Sequence, residues 1–470
     1  MANSTQLLHS IFGDDVGLRG RRPSVADESV LESDRMDRLV RVAVFGDVHE
    51  REIARWLIWQ IGQSVGVRAA SIHELYMARG RGEVGGFTVP AMNVRGMSYD
   101  TARSIFRTAK RLDAGAFILE IARSEIVYTE QRPGEYVAVM LAAALREGFR
   151  GPVFIQGDHF QVNAKKFAAD PGTEVEGVKA LAREAIAAGF YNIDIDTSTL
   201  VDLSKPSLDE QQRLNYEIGI DILREVRSLE PDGVTISIGG EIGEVGSHNS
   251  TVEELRAYMD GFARSLPTGL AGLSKISVQS GTSHGGVVLA DGSIADVKLD
   301  FKTLEELSKV AREEYGLAGA VQHGASTLPD EAFNNFPRVE TAEIHLATNF
   351  QNMLYDHLPA PLRQEIYDWL RQNAKDERKP SDSEEQFFYK TRKKALGPFK
   401  ERFWDLPGDA KATLARAYDR KFEFLFTQLG VGGTAAAVRR YVMAPEQLRP
   451  APERGEPVTA AAHDDAEAGE

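Results

Sequence analysis

Strand-like and helix-like segments alternate through the middle of this 470-residue chain, and this alternation limits the fold more than any other feature. Eight short apolar segments, separated by segments of helical periodicity, fill about 260 residues, as in a (β/α)8 TIM barrel. A doubly wound parallel sheet is the alternative. We favour the barrel because candidate site residues follow four different strands, and barrel enzymes keep their chemistry at the C-terminal strand ends. The predicted strands are 86–93, 116–121, 152–157, 190–197, 234–240, 274–279, 319–323 and 341–346.

The regions on either side of the predicted barrel have different patterns. Residues 1–36 are polar and mixed and are expected to form a poorly ordered arm, followed by two helices within Asp37–Gly66. After residue 350 the strand pattern stops and helical periodicity continues. The chain therefore divides into an N-terminal arm with helices (1–70), the barrel (71–355), C-terminal helices (356–433) and a largely disordered acidic tail (434–470).

Residues able to bind a metal follow four of the predicted strands. Asp158 and His159 come directly after the apolar run Val153–Gln156. Neighbouring side chains in a strand point to opposite faces, so both reach one centre only where the strand turns into a loop. Each of three later strands is followed by a single residue able to bind a metal. The possible metal ligands are His159, Glu241, His284 and His323, with Asp158 beside them as a base.

Composition restricts the ligands and the partners. The sequence has no cysteine, so only His, Asp and Glu remain to bind a metal. A formal net charge of −15 argues against a nucleic-acid-binding surface, whereas backbone amides and a metal are still able to hold a small phosphorylated substrate. No apolar stretch approaches the roughly 18 residues of a membrane span, and the N-terminus lacks the pattern of a secretory signal. We expect a cytoplasmic protein without membrane or nucleic-acid partners.

Six short segments, FTVPAMNV, GDHF, EIG, TSHG, VQHGAS and HLAT, follow one another at the predicted strands. Their order and spacing resemble those of the class II, zinc-dependent fructose-bisphosphate aldolases, over about residues 85–350. The resemblance implies that Asp158 is the acid/base at the carbonyl carbons and that His159, His284 and His323 bind Zn²⁺. Glu241 occupies the position of a further zinc-associated glutamate.

The resemblance also implies a site for the phosphate of a ketose. Its residues would be Gly285, Gly324 and Ser326, helped by the backbone at Thr348, with His345 at the position of a family asparagine. Glycine lets backbone amides approach phosphate oxygens closely. Zinc polarises a ketone oxygen without a lysine Schiff base, and three protein ligands leave room for substrate.

Some positions depart from the family pattern. Ser247-His248-Asn249 stands where the family has acidic loop residues, one of which is expected to protonate the intermediate. His248 either replaces that acid as a proton shuttle or is a solvated loop residue. Asp194 and Asp196 recur on one strand face, and we favour Asp194 as the residue that orients a metal ligand, with a structural hydrogen-bonding role as the alternative.

The leading hypothesis is a metal-dependent aldolase that reversibly cleaves a phosphorylated ketose, such as fructose 1,6-bisphosphate, to dihydroxyacetone phosphate and an aldehyde. The loop Ser247-His248-Asn249 motivates an alternative, a barrel that binds zinc and sugar phosphate without efficient turnover. A metal-dependent sugar-phosphate hydrolase is the third possibility, because a histidine-rich barrel rim equally activates water. We expect a homo-oligomer, a dimer or higher.

Overall fold

The computed structural model describes residues 2–243, 249–281, 289 and 299–452. Its main feature is a nine-stranded parallel sheet, eight strands of which close into a barrel with helices between them. The predicted (β/α)8 TIM barrel is therefore confirmed. The strands are β1 (Val16–Arg19), β2 (Arg22–Val25), β3 (Val67–Ala70), β4 (Val89–Asn93), β5 (Ile118–Ala122), β6 (Gly151–Gln161), β7 (Asn192–Asp196), β8 (Ser237–Glu241), β9 (Lys275–Val278), β10 (Ala320–Gln322) and β11 (Glu343–Leu346).

The barrel runs in chain order from β4 to β11 and closes between β11 and β4. The sequence did not predict β3, which pairs with the N-terminal half of β6 and lies outside the ring of eight. The pairing of β6 with β7 shifts register between Gly157 and Phe160. β6 therefore does not end at residue 157 as expected, but continues through a bulge to Gln161.

Alternate residues of each barrel strand point inward, because side chains in a strand have a period of two. The pairing register places Glu120 beside Gln156 and Ala122 beside Asp158. Inside the barrel, glycine on one strand leaves room for a larger side chain on a neighbouring strand. A Cβ atom on Gly239 would lie 2.3 Å from Asp194 Oδ1, so glycine is required there.

Helices connect the strands and form the outer layer. Capping residues at the N-termini of these helices stabilise them. Asp170 accepts a hydrogen bond from the backbone of Thr173 and precedes Pro171 at the first helical position, while Thr251 and Glu254 form a capping box. The helices of the barrel are His73–Gly80, Ser98–Leu112, Arg123–Tyr128, Pro133–Arg146, Ala164–Ala169, Pro171–Ala188, Leu208–Ser228, Val252–Ser265, Phe301–Glu313 and Asn335–Arg338.

Residues 2–36 are folded, so the expectation of a poorly ordered arm was wrong. They form the helix Ala2–Phe12, the β1–β2 hairpin and a short 3-10 helix, followed by the helices Asp34–Phe45 and Val48–Val65. Phe12 and Leu31 are fully buried against this layer. Scattered apolar residues in a polar sequence therefore gain enough buried surface from tertiary contacts to order the segment.

Helices also follow the barrel on its C-terminal side. They are Thr348–Asp356, Ala360–Asn373, Glu384–Thr391, Lys400–Trp404, Gly408–Gln428 and Ala435–Tyr441. The last helix lies in the segment expected to be largely disordered, and the chain after it packs on the N-terminal layer. There Trp59 Nε1 donates to Gln447 O at 2.6 Å and Trp56 Nε1 donates to Arg449 O at 3.1 Å. Residues 453–470 lie outside the described residues.

The helix His73–Gly80 covers the N-terminal end of the barrel. The buried guanidinium of Arg79 donates to the carbonyls of Phe87, Ala318 and Thr341, which precede three different strands. This helix therefore covers the N-terminal end of the barrel. Among the described residues, no helix combines the length and apolar character required to cross a membrane.

Candidate active site

The bulge in β6 brings Asp158 and His159 to one centre. His159 has a φ of +41°, a left-handed conformation that non-glycine residues rarely adopt. This conformation, together with the register shift, turns both side chains toward the C-terminal end of the barrel, with 3.8 Å between His159 Nε2 and Asp158 Oδ1. The two residues therefore meet inside a continuing strand, and not at a strand end as the sequence suggested.

Asp196, at the end of β7, orients His159. Its Oδ2 lies 3.2 Å from His159 Nδ1, and it also accepts hydrogen bonds from Gln161 and Ser198. Glu241 Oε2, at the end of β8, lies 3.6 Å from the same ring nitrogen. The residue that orients the histidine is therefore Asp196, not Asp194. Asp194 and Asp196 lie on the same face of β7, but Asp196 is two residues nearer the C-terminal end of the strand.

His323 completes the described part of the centre. Its ring centroid lies 4.4 Å from that of His159, and its Nε2 lies 3.0 Å from Ser277 Oγ on β9. Side-chain ligand atoms of Asp158, His159 and His323 all lie within 4.8 Å of one another. We call Asp158, His159, Asp196, Glu241 and His323 the barrel mouth.

The donor set of the barrel mouth fits a divalent metal such as zinc. Two imidazoles and a carboxylate are borderline-soft and hard donors of the kinds that zinc takes, and no thiolate is needed. Asp196 holds Nδ1 of His159, so Nε2 is the atom that this ring would offer to a metal. His159 and His323 would hold the ion, and binding by Glu241 stays a prediction, because its Oε2 lies beside Nδ1 of His159.

Charges at the barrel mouth shift the pKa values of its acids in opposite directions. Burial disfavours the charged form of Asp158, but the nearby rings of His159, His345 and His323 outweigh it and hold the pKa of Asp158 well below its usual value. Burial and the carboxylate of Asp196 raise the pKa of Glu241 to about 8. Asp158 is therefore the carboxylate that stays ionised and able to accept a proton.

A loop suited to phosphate lies next to the barrel mouth. Gly324 has a φ of +67°, which glycine adopts without strain, and it begins the short 3-10 helix Ala325–Thr327. Asn349 Nδ2 donates to Ser326 O at 3.2 Å, so this turn packs against the first residues of the helix that Thr348 begins. The structure thus brings Gly324, Ser326 and Thr348 together beside the site.

A second polar group, which we call the barrel floor, fills the barrel interior below the mouth. Lys275 Nζ donates to Gln156 Oε1 at 2.8 Å, to Asp194 Oδ2 at 3.0 Å and to Glu343 Oε1 at 2.5 Å, which uses all three ammonium protons. Tyr76, from the helix that closes the barrel, donates to the other oxygen of Glu343. The barrel floor consists of Tyr76, Gln156, Asp194, Lys275 and Glu343.

His345 lies between the floor and the mouth. Its ring stacks on that of His323 with centroids 4.0 Å apart, and its Nδ1 lies 3.0 Å from Glu120 Oε2. Burial lowers the pKa of His345, but Glu120 and Asp158 outweigh it and raise this pKa well above its usual value. His345 is only 5% exposed, so its side chain belongs to the barrel interior, and its expected contact with substrate stays a prediction.

Three predicted site residues, His248, His284 and Gly285, lie outside the described residues. The sequence reading missed Asp196 as the partner of His159, and it also missed the floor. The one signal for the floor was the presence of Lys275, Glu343 and Gln156 inside apolar strands, where charged residues are rare unless paired.

Comparison with known proteins gives a family and a fold. The sequence profile of the class II fructose-bisphosphate aldolases matches residues 80–402. No curated protein matches the sequence. Among solved structures, a fructuronate-tagaturonate epimerase from Cohnella laeviribosi has a TM-score of 0.55 at 11% identity, covering 81% of this chain and 86% of its own. A probable tagatose 6 phosphate kinase from Sinorhizobium meliloti has a TM-score of 0.51 at 16% identity, covering 75% and 93%.

A fructose-bisphosphate aldolase from Campylobacter jejuni is a further similar structure, with a TM-score of 0.47 at 16% identity, covering 78% of this chain and 97% of its own. At these identities the epimerase and kinase structures, with TM-scores above 0.5, indicate the fold alone.

Proposed function

Because this chain belongs to the class II fructose-bisphosphate aldolase family, we propose that it is a zinc-dependent aldolase that reversibly cleaves a phosphorylated ketose to dihydroxyacetone phosphate and an aldehyde. The observation that carries the proposal is the convergence of Asp158, His159 and His323 at the C-terminal end of the barrel. A base and metal donors are required within reach of one substrate, and these three residues provide them.

Asp158 has the properties of the base. It remains ionised because the neighbouring rings lower its pKa, and it lies beside the histidines that would hold the metal. In the condensation direction its carboxylate takes a proton from the carbon next to the ketone of dihydroxyacetone phosphate. A divalent metal bound at the mouth supplies charge stabilisation for the ketone oxygen, on which negative charge develops.

The turn at Gly324 and Ser326 is proposed to hold the substrate phosphate. Ser326 contributes a hydroxyl donor, and Thr348 begins a nine-residue helix whose first backbone amides have no intrahelical acceptor. Such amides bind phosphate oxygens without a lysine or arginine. This is consistent with an acidic protein that acts on a phosphorylated sugar.

A substrate panel tests the proposal. Zinc-loaded protein is incubated with fructose 1,6-bisphosphate and other ketose phosphates, and triose phosphate and inorganic phosphate are both measured. We expect triose phosphate from at least one substrate, and loss of this product in Asp158→Asn at unchanged metal content. Inorganic phosphate without triose would indicate a hydrolase, and neither product from metal-loaded protein would indicate a barrel that binds without turnover. Either result contradicts the proposal.

A further inference from the structure

A cavity of about 450 Å³ lies outside the barrel, where the N-terminal layer meets the C-terminal segment 449–452. Its other walls belong to the helices Val48–Val65, Pro133–Arg146 and Pro171–Ala188. Sites for small molecules typically have volumes of about 300–1,000 Å³, so this cavity is large enough for one. We call it the outer cavity. The residues that line it include Trp56, Trp59, Val137, Leu141, Ala187 and Arg449.

Arg449 brings a positive charge to the outer cavity, and no carboxylate among the described residues offsets this charge. Its guanidinium carbon lies 3.3 Å from the centre of the Trp59 ring, and the group donates a hydrogen bond to the hydroxyl of Tyr191. Burial raises the pKa of Tyr191, so this phenol is neutral. Burial also lowers the pKa of Arg449 to about 10, which leaves the guanidinium charged at neutral pH.

Two other arginines show how this chain usually satisfies a buried guanidinium. Arg227 donates to three backbone carbonyls and one carboxylate. Arg55, the second arginine at the outer cavity, pairs with Glu135 at 3.0 Å and lies near the exposed Glu52. Both guanidinium groups therefore have an acidic partner within the fold. The charge of Arg449 has none among the described residues, so it is available to an anion that enters the cavity.

The remaining walls of the outer cavity are mainly apolar, with Val137 and Leu141 on one helix and Ala187 on the next. From these walls and the charge of Arg449, we propose that the outer cavity binds a small carboxylate with a flat apolar body. A guanidinium that stacks on an aromatic ring keeps its N–H groups in its own plane, where they bind a carboxylate through two parallel hydrogen bonds. The apolar body of the ligand would cover the aliphatic side chains.

The outer cavity is separate from the barrel mouth. Arg449 contacts Tyr191, directly before β7, whereas Asp196 at the mouth is the last residue of that strand. A strand rises about 3.3 Å per residue, which puts roughly 15 Å between these two positions. Trp59 and Arg449 also lie outside residues 80–402, which match the family. The ligand would therefore be a molecule other than the ketose, bound at a site that the two ends of this chain add to the barrel.

Calorimetric titration of the full chain with 2-naphthoate and with 2-naphthamide tests this inference. The two probes have the same flat body, but only naphthoate is an anion. We expect one bound naphthoate per chain and about 10–100-fold weaker binding of naphthamide, which lacks the charge-assisted hydrogen bonds to Arg449. Arg449→Gln should weaken naphthoate by the same factor. Arg22→Gln is the matched control, because Arg22 pairs with Glu446 of the C-terminal segment but does not line the cavity.

Two further variants locate the bound probe. Ala187→Phe, at an exposed wall residue, fills part of the cavity and should weaken both probes. His323→Ala changes the barrel mouth and should leave naphthoate binding unchanged.

The wild type alone decides the outcome if a variant folds poorly. No binding of naphthoate, or equal affinity for the two probes, would overturn the inference. Wild-type affinity in Arg449→Gln, or loss of binding in His323→Ala, would overturn it as well. None of these titrations requires ketose cleavage, so the aldolase proposal and the outer cavity fail independently.

Discussion

The floor of the barrel binds its buried charges to one another, whereas the mouth presents them to a ligand. In the floor, Lys275 is held by Gln156, Asp194 and Glu343 within 3.0 Å, and every proton of its ammonium group has an acceptor. At the mouth, the rings of His159 and His323 lie 4.4 Å apart beside several acids. Buried acidic and basic side chains therefore have different roles in the floor and in the mouth. We infer that the floor contributes to stability, and the proposed function assigns binding and catalysis to the mouth.

Removal of a mouth histidine should have the largest effect on function. We expect His323→Ala to lose the mouth metal and to lower the rate of ketose cleavage by more than about 10³-fold, because the metal polarises the reacting carbonyl. Metal content by mass spectrometry and a triose phosphate assay check this. His49→Ala, on an N-terminal helix, is the control and should behave as the wild type. Full metal content and activity in His323→Ala would remove His323 from the mouth.

Breaking the floor should affect stability and leave metal binding at the mouth intact. Lys275→Met removes the buried ammonium group that pairs with Asp194 and Glu343, and loss of one partner of a buried ion pair typically costs about 3–5 kcal/mol in the free energy of unfolding. Chemical denaturation measures this cost. Lys302→Met removes an exposed lysine that lies 3.6 Å from Glu306 and should cost less than about 1 kcal/mol. Equal effects in the two variants would contradict a structural role for the floor.

Substitution of Asp196 tests whether this residue orients the metal ligand His159 or binds the metal itself. Asp196→Asn should weaken metal binding by about 10–100-fold, because the ring of His159 loses a charged partner but stays in place. Competition with a chromophoric chelator measures this affinity. Asp202→Asn, in an exposed turn that Asp202 closes with Ser204, is the control. Complete loss of metal in Asp196→Asn would make Asp196 a ligand.

A smaller effect is expected beneath the floor, at His73. Burial and the nearby charge of Arg227 lower the pKa of His73 to about 4, so the folded state holds this ring neutral. The unfolded chain then binds more protons below the usual pKa of about 6.5, and stability falls as the pH drops from there toward 4.

The wild type should therefore lose about 2 kcal/mol more than His73→Leu between pH 7 and pH 5. Denaturation at both pH values measures this difference, and His9→Leu, at a mostly exposed histidine, should follow the wild type. A wild-type pH dependence identical to that of His73→Leu would show that His73 does not titrate in this range.

The sequence predicts the barrel and the outline of the mouth, but not how the mouth is built. Eight strands follow from the alternation of local patterns, and Glu241 and His323 follow from their places after strands. Whether Asp194 or Asp196 orients His159 depends on their positions along the barrel axis. The strand period of two gives the face on which a side chain lies, but not this position. The contacts of Lys275 join strands far apart in sequence, so no local pattern indicates them.

The first 36 residues show, for a whole segment, the same limit: local sequence does not indicate contacts with distant parts of the chain. Their composition is that of a disordered arm, but Phe12 and Leu31 pack into the layer formed by later helices. Local sequence gives no measure of that long-range burial. The prediction therefore failed where a segment depends on distant parts of the chain, and succeeded where periodicity alone determines the element.

Proton exchange tests the central claim, that Asp158 at the barrel mouth is the base of an aldolase. Dihydroxyacetone phosphate is incubated with zinc-loaded protein in D₂O, and loss of the carbon-bound proton is followed by nuclear magnetic resonance. Exchange should be rapid in the wild type, absent after metal removal, and reduced by about 10²–10⁴-fold in Asp158→Asn with metal still bound. Exchange at the wild-type rate in metal-loaded Asp158→Asn would contradict the account.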